Sequence, residues 1–98
     1  MNRPVLFRRP ARIEFDEAAH WYDARRPGLG ARFTAAVQDV LDSASENPDR
    51  HPRVFDEVHE ALVHGFPYCV YYRNEADLVL VLAVFHTARD PFVWQSRL

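Results

Sequence analysis

The sequence predicts an α+β fold in which an antiparallel helical hairpin packs on one face of a mainly antiparallel sheet, in the order β-α-α-β-β-β. Three observations carry that expectation. Apolar residues recur at helical spacing over residues 11–44, strand-like runs replace them after residue 60, and Asn47-Pro48 separates the two regimes.

The elements follow in chain order. Val5-Leu6-Phe7 lies between Pro4 and Pro10, which leaves room only for a short strand at an edge or beside the helices. After Pro10, a residue that suits the first turn of a helix, Ala11, Phe15, Ala18, Ala19 and Tyr22 trace one helical face. Arg12, Glu14, Asp16, Glu17 and Asp23 fall largely off that face. Pro27-Gly28-Leu29-Gly30 breaks the helix, and a second stripe runs through Phe33, Ala36, Val37, Val40, Leu41 and Ala44. It ends near Asn47-Pro48, because the residue before proline disfavours helix. Ala61-Leu62-Val63 is a short strand candidate, and the β-branched and aromatic run Tyr68 to Arg73 is a second. Leu78 to His86 is nearly continuous in valine and leucine, as expected of a central strand covered on both faces. Asn74 to Asp77 supplies the hairpin loop between the last two.

Composition bounds the function. Ninety-eight residues, 48% hydrophobic and 27% charged, fit one globular domain spanning 1–98. All twelve basic residues are arginine, which excludes mechanisms that use lysine as Schiff-base former, general base or phosphate-loop residue. A net charge of −2 argues against a general polyanion binder. The charge is uneven: residues 1–12 carry +4, residues 13–60 carry −6, and the remainder balances. Cys69 is the lone cysteine, so a reducing cytoplasm is the expected setting. The first ten residues hold no apolar stretch of signal-peptide length, and the longest apolar run, Leu78 to Phe85, is too short to span a membrane.

Most motifs are absent. His20, His51, His59, His64 and His86 have no HxH or HxxxH spacing, so neither a metal nor any other cofactor is expected. Gly28-Leu29-Gly30 follows a helix rather than a strand and reads as a turn. The richest chemistry lies in the segment from Phe85 to Arg97. His86 can transfer protons near neutral pH and Arg89 can clamp a phosphate in two-point fashion, which together suit phosphodiester cleavage by a 2′-hydroxyl. The plainer reading is that His86 ends a strand, Arg89 pairs with an acid and Trp94 covers the sheet. Tyr68 and Tyr72 share one strand face and Tyr71 takes the other, available either for base stacking or for packing under the helices.

Nearly the whole chain resembles the RelE/ParE superfamily of type II toxin–antitoxin toxins. The pieces that carry the resemblance are Ala18-Ala19-His20-Trp21-Tyr22, Pro27-Gly28-Leu29-Gly30 with Phe33, Ala36 and Val37, and Glu46-Asn47-Pro48. Phe66-Pro67-Tyr68 with Val70-Tyr71-Tyr72, then Ala83-Val84-Phe85-His86 with Arg89-Asp90-Pro91 and Trp94, complete it. The resemblance implies a toxin neutralised by a cognate antitoxin docked on an apolar groove of hairpin and sheet edge, with Val5, Phe7, Phe15, Tyr22 and Phe33 as contact residues. It also implies one of two targets: DNA gyrase for ParE-like members, or mRNA on the ribosome for RelE-like ones. RelE-like cleavage commonly relies on lysine and arginine across the sheet, whereas this chain has no lysine and carries His59-Glu60-Ala61-Leu62-Val63-His64 on the second strand. The expectation is therefore a ParE-like growth inhibitor using Arg89, Trp94 and Arg97 toward gyrase. The alternatives are an endoribonuclease with His86, Arg89 and Glu60 as catalytic residues, or a degenerate antitoxin binder without toxicity.

Overall fold

A computed structural model describes residues 2–98. Its first element is the short strand β1 (Val5–Phe7), followed by helices α1 (Arg9–Arg25) and α2 (Leu29–Glu46). A single 3-10 turn at Pro48–Arg50 leads to β2 (Arg53–Phe55), β3 (Val58–Leu62), β4 (Tyr68–Glu75), β5 (Leu78–His86) and the one-turn helix α3 (Phe92–Gln95). The five strands lie in the order β1-β5-β4-β3-β2. All neighbours are antiparallel except β1 and β5, which run parallel.

Both helical stripes face the sheet. Ala11, Phe15 and Ala18 of α1 and Phe33, Val37, Val40, Leu41 and Ala44 of α2 are buried against Val70, Tyr72, Val79, Val81 and Val84. The hairpin between the helices is tight because Gly28 sits at φ +90°, a conformation open to a residue without Cβ. Asp23 fastens it, its Oδ1 accepting from the backbone N–H of Gly28 at 2.9 Å and of Gly30 at 3.2 Å. At Gly30 the helices touch: a Cβ there would stand 2.5 Å from the Ala19 carbonyl oxygen.

A second, smaller core covers the opposite face of the sheet, built from Val58, Cys69, Tyr71, Leu82, Ala83, Phe85 and Trp94. It explains the unbroken apolar run of β5, which is covered on both sides as its sequence predicts. A bulge helps: Tyr71 pairs with Ala83 and Tyr72 with Val81, so Leu82 is an extra residue that joins Ala83 on the second core. Two elements escaped the sequence reading. β2 has three exposed residues and no periodicity to detect, and α3 is a single turn held over the sheet by buried Trp94.

The feature that positions the site is an unfinished sheet edge. β1 pairs with β5 only over Val79 to Val81, after which the Arg8 N–H bonds the Val81 carbonyl at 2.9 Å and the chain turns into α1. Residues 82–86 of β5 thus have no neighbouring strand on that side, and α1 runs beside them.

A groove between α1 and the free edge of the sheet

Glu14 seals part of that edge. Its Oε1 accepts from the Val84 N–H at 3.1 Å, a donor that a further strand would otherwise take. The same carboxylate binds Arg97 through two nitrogens, Nη1 at 3.1 Å and Nη2 at 2.7 Å, and Arg89 Nη1 at 3.2 Å. Arg97 also donates to the Leu82 carbonyl at 3.2 Å. One carboxylate with four donors thereby ties α1, β5 and the C-terminal segment together, with the Glu14 side chain only 12% exposed. Glu14, expected largely off the apolar face of α1, stands at the margin of that face and is drawn into the structure by its partners. Its spacing from Ala11 (i+3) and Ala18 (i−4) was the available signal, since those offsets place it on the margin of the buried stripe.

Beyond Glu14 the edge opens into a groove of about 500 Å³. Glu17, Ala18, Trp21 and Tyr22 line it from α1; Pro67, Tyr68, Val84, His86 and Arg89 line it from the sheet side. Its aromatic members meet edge-on, Tyr22 with Tyr68 at 6.1 Å between centroids and Tyr68 with His86 at 5.1 Å. Burial raises the pKa of both tyrosines, so their hydroxyls stay protonated donors. His86 Nδ1 accepts from the Ala88 N–H at 3.0 Å, an arrangement that in the neutral ring puts the proton on Nε2. Arg89 lies 4.2 Å over the Phe85 ring and pairs with Glu14. Trp21 is 52% exposed, and the Arg25 guanidinium stacks 4.4 Å over its ring.

Of the three residues of the nuclease alternative, His86 and Arg89 both line the groove, but Glu60 does not join them. Tyr68 faces His86 across the β4–β5 ladder, whereas Tyr71 faces Glu60 across β3–β4. Tyr68 and Tyr71 point to opposite faces of β4, so Glu60 is separated from His86 by the sheet itself. Glu60 is instead engaged by the Tyr71 hydroxyl at 2.7 Å, and burial together with that bond pushes the Tyr71 pKa well up. Burial likewise pushes the Cys69 thiol up, leaving a packing residue rather than a nucleophile. Among the described residues no three His, Cys, Asp or Glu side chains gather as a metal site.

Placement of the remaining candidates is mixed. Trp94, expected at a target surface, is 1% exposed and stacks on Tyr71 at 4.2 Å, which makes it the lid of the second core. Phe15 and Phe33, expected to meet an antitoxin, are buried beneath the hairpin and form the groove's support rather than its surface. Val5 and Phe7 are half-buried on β1 away from the groove lining, and of that set only Tyr22 lines it. The sequence reading missed Glu14, Glu17 and Trp21 as site residues, because an aromatic and two acids on an amphipathic helix look like ordinary exposed positions.

Comparison with known proteins agrees with this architecture. Residues 5–91 match the family model described as the ParE toxin of the type II toxin–antitoxin system parDE. Among solved structures, the chromosomal ParDE toxin–antitoxin system from P. aeruginosa contains a similar fold, with a TM-score of 0.73 at 11% identity, covering 86% of this chain and 95% of that one. No curated protein matches the sequence.

Proposed function

Since the chain belongs to the ParE toxin family of type II toxin–antitoxin systems, we propose that it arrests growth by binding DNA gyrase rather than by cutting RNA, and that its antitoxin silences it from the groove between α1 and β5. A toxin of this class works with a cognate antitoxin, and no helix among the described residues is long and apolar enough to cross a membrane.

The observation that carries the non-nucleolytic reading is the fate of the chemically capable side chains. General acid–base cleavage needs its groups within hydrogen-bond reach of one scissile phosphate. Here Glu60 sits on one face and His86 on the other, and Arg89 and Arg97 are both committed to Glu14. Glu14 together with Glu17, which lines the same groove, offsets the two positive charges, so no net phosphate-binding charge is left at the site. With no lysine elsewhere to replace it, binding through surfaces is the activity that fits.

Purified chain added to gyrase and relaxed plasmid is expected to block supercoiling, while ribosome-bound mRNA incubated with it stays intact. Cleaved mRNA alongside normal supercoiling would reverse the assignment in favour of the endoribonuclease.

For the antitoxin, the support is the free edge of β5. Strand edges and hydrophobic grooves are the two common docking modes for a peptide segment, and here they adjoin. Trp21 and Tyr22 supply the large aromatic contacts typical of energetically dominant interface positions.

A further inference from the structure

Of the two carboxylates that line the groove, one has no partner. Glu14 is saturated by Val84, Arg89 and Arg97. Arg89 is satisfied twice, by Glu14 and by the face of Phe85. His86 has its Nδ1 occupied by the Ala88 N–H. Glu17 alone lines the groove without an ion pair among the described residues. Its neighbours one helical turn away, Ile13, Glu14, His20 and Trp21, include no arginine that could reach it along α1.

From this we infer that the groove is a socket for an arginine side chain of the antitoxin, its guanidinium paired with Glu17 and its plane resting on the Trp21 and Tyr68 rings. The inference rests on the antitoxin reading above and names the chemistry of the occupant. A guanidinium is favoured because it pairs with a carboxylate in a two-point fork and is weakly enough hydrated to lie on an aromatic ring. The molecule already makes that contact once, with Arg25 at 4.4 Å over Trp21. An acidic side chain entering the same groove would meet Glu17 with like charge, and a purely apolar one would leave that carboxylate desolvated and unpaired.

Two measurements test the socket separately from the antitoxin reading. In the first, N-acetyl-arginine-methylamide is titrated into the chain and the indole N–H resonance of Trp21 is followed by NMR. The expected result is a saturable shift for the arginine compound and none for the neutral isostere N-acetyl-citrulline-methylamide, with Glu17→Gln abolishing the difference. Equal responses to both compounds, or none to either, overturn the socket. In the second, antitoxin affinity is compared across variants: Glu17→Gln is expected to weaken it about fivefold and Glu17→Arg further, with a shallower salt dependence. Unchanged affinity in Glu17→Arg overturns the socket while leaving the antitoxin reading intact. Failure of the unaltered chain to bind the antitoxin at all overturns that reading and removes the occupant.

Discussion

Glu14 has the heaviest structural duty of any single side chain in this molecule. It satisfies a strand-edge N–H and pairs with two arginines while itself nearly buried. Replacing it by alanine strands Arg97, whose side chain is 19% exposed, and leaves the Val84 N–H without its acceptor. The residual exposure lets water recover part of the loss, so the expected cost is about 2–4 kcal/mol, below the upper range for a fully buried pair. Urea unfolding checks it: the midpoint falls with an unchanged slope for Glu14→Ala, and falls less for Glu14→Gln, which keeps the shape and one acceptor oxygen. An unaltered midpoint would mean that the carboxylate is a surface decoration. This residue also marks where sequence reading stops. The apolar positions of both helices were legible because burial imposes a period on them, as at Phe15, Phe33 and Val37. A glutamate buried by pairing leaves no such mark, since its partners Arg89 and Arg97 lie more than seventy positions away in the chain.

Among the elements, β4 is the one whose chemistry depends most on pH. Tyr72 is fully buried, donates to the Pro48 carbonyl at 2.6 Å and stacks on His59 at 4.9 Å, which joins the strand to the turn after α2. Burial, then the charge of Asp49, push its pKa up to about 12. A raised pKa on an acid means that the folded state holds the proton more tightly than the unfolded chain. The associated stability is complete below pH 10, the unfolded value, and drains away as pH rises toward 12. His51 in the same junction has the opposite behaviour: burial, Arg50 and His59 lower its pKa, so its contribution is present above the unfolded value near 6.5 and is lost as pH falls through it. Thermal melts across the pH range should therefore show the fold weakening above 10 and again below 6.5. Tyr72→Phe should make the alkaline limb shallower, leaving the part that Tyr71 on the same strand carries, while lowering stability at neutral pH by about 1–2 kcal/mol, because the Pro48 carbonyl is left unpaired. A melt profile level from pH 10 to 12 would show that Tyr72 does not couple to the fold. The strands β4 and β5 were readable from their β-branched and aromatic runs. By contrast β2 and α3 exist only because tertiary contacts hold them, Phe55 and Trp94 meeting at 6.0 Å over the second core.

At the scale of the whole molecule, the two faces of the sheet have different partners available to them. The helix side carries the groove; the other side is closed by Trp94 and leaves Leu62, Phe92 and Val93 exposed. The C-terminal segment connects them, since Arg89 lines the groove while Phe92 and Val93 flank the buried Trp94. An antitoxin seated in the groove therefore contacts the C-terminal segment at Arg89, and a target that docks on that segment should be excluded while the antitoxin is bound. Binding also stabilises the native state by mass action, by about 2.7 kcal/mol when the free antitoxin stands at a hundred times its dissociation constant. For a domain of this size that corresponds to a rise in melting temperature of roughly 10–20 °C. The expected outcome is that antitoxin raises the melting temperature by that amount and restores supercoiling to toxin-inhibited gyrase at one equivalent. Trp21→Ala in the groove should blunt both effects, whereas Leu62→Ala on the far face should leave both unchanged, because Leu62 is not among the residues that line the groove. If Leu62→Ala abolished antitoxin protection while Trp21→Ala did not, the silencing surface would lie on the second face, and the groove beside α1 would have to be reassigned to the target.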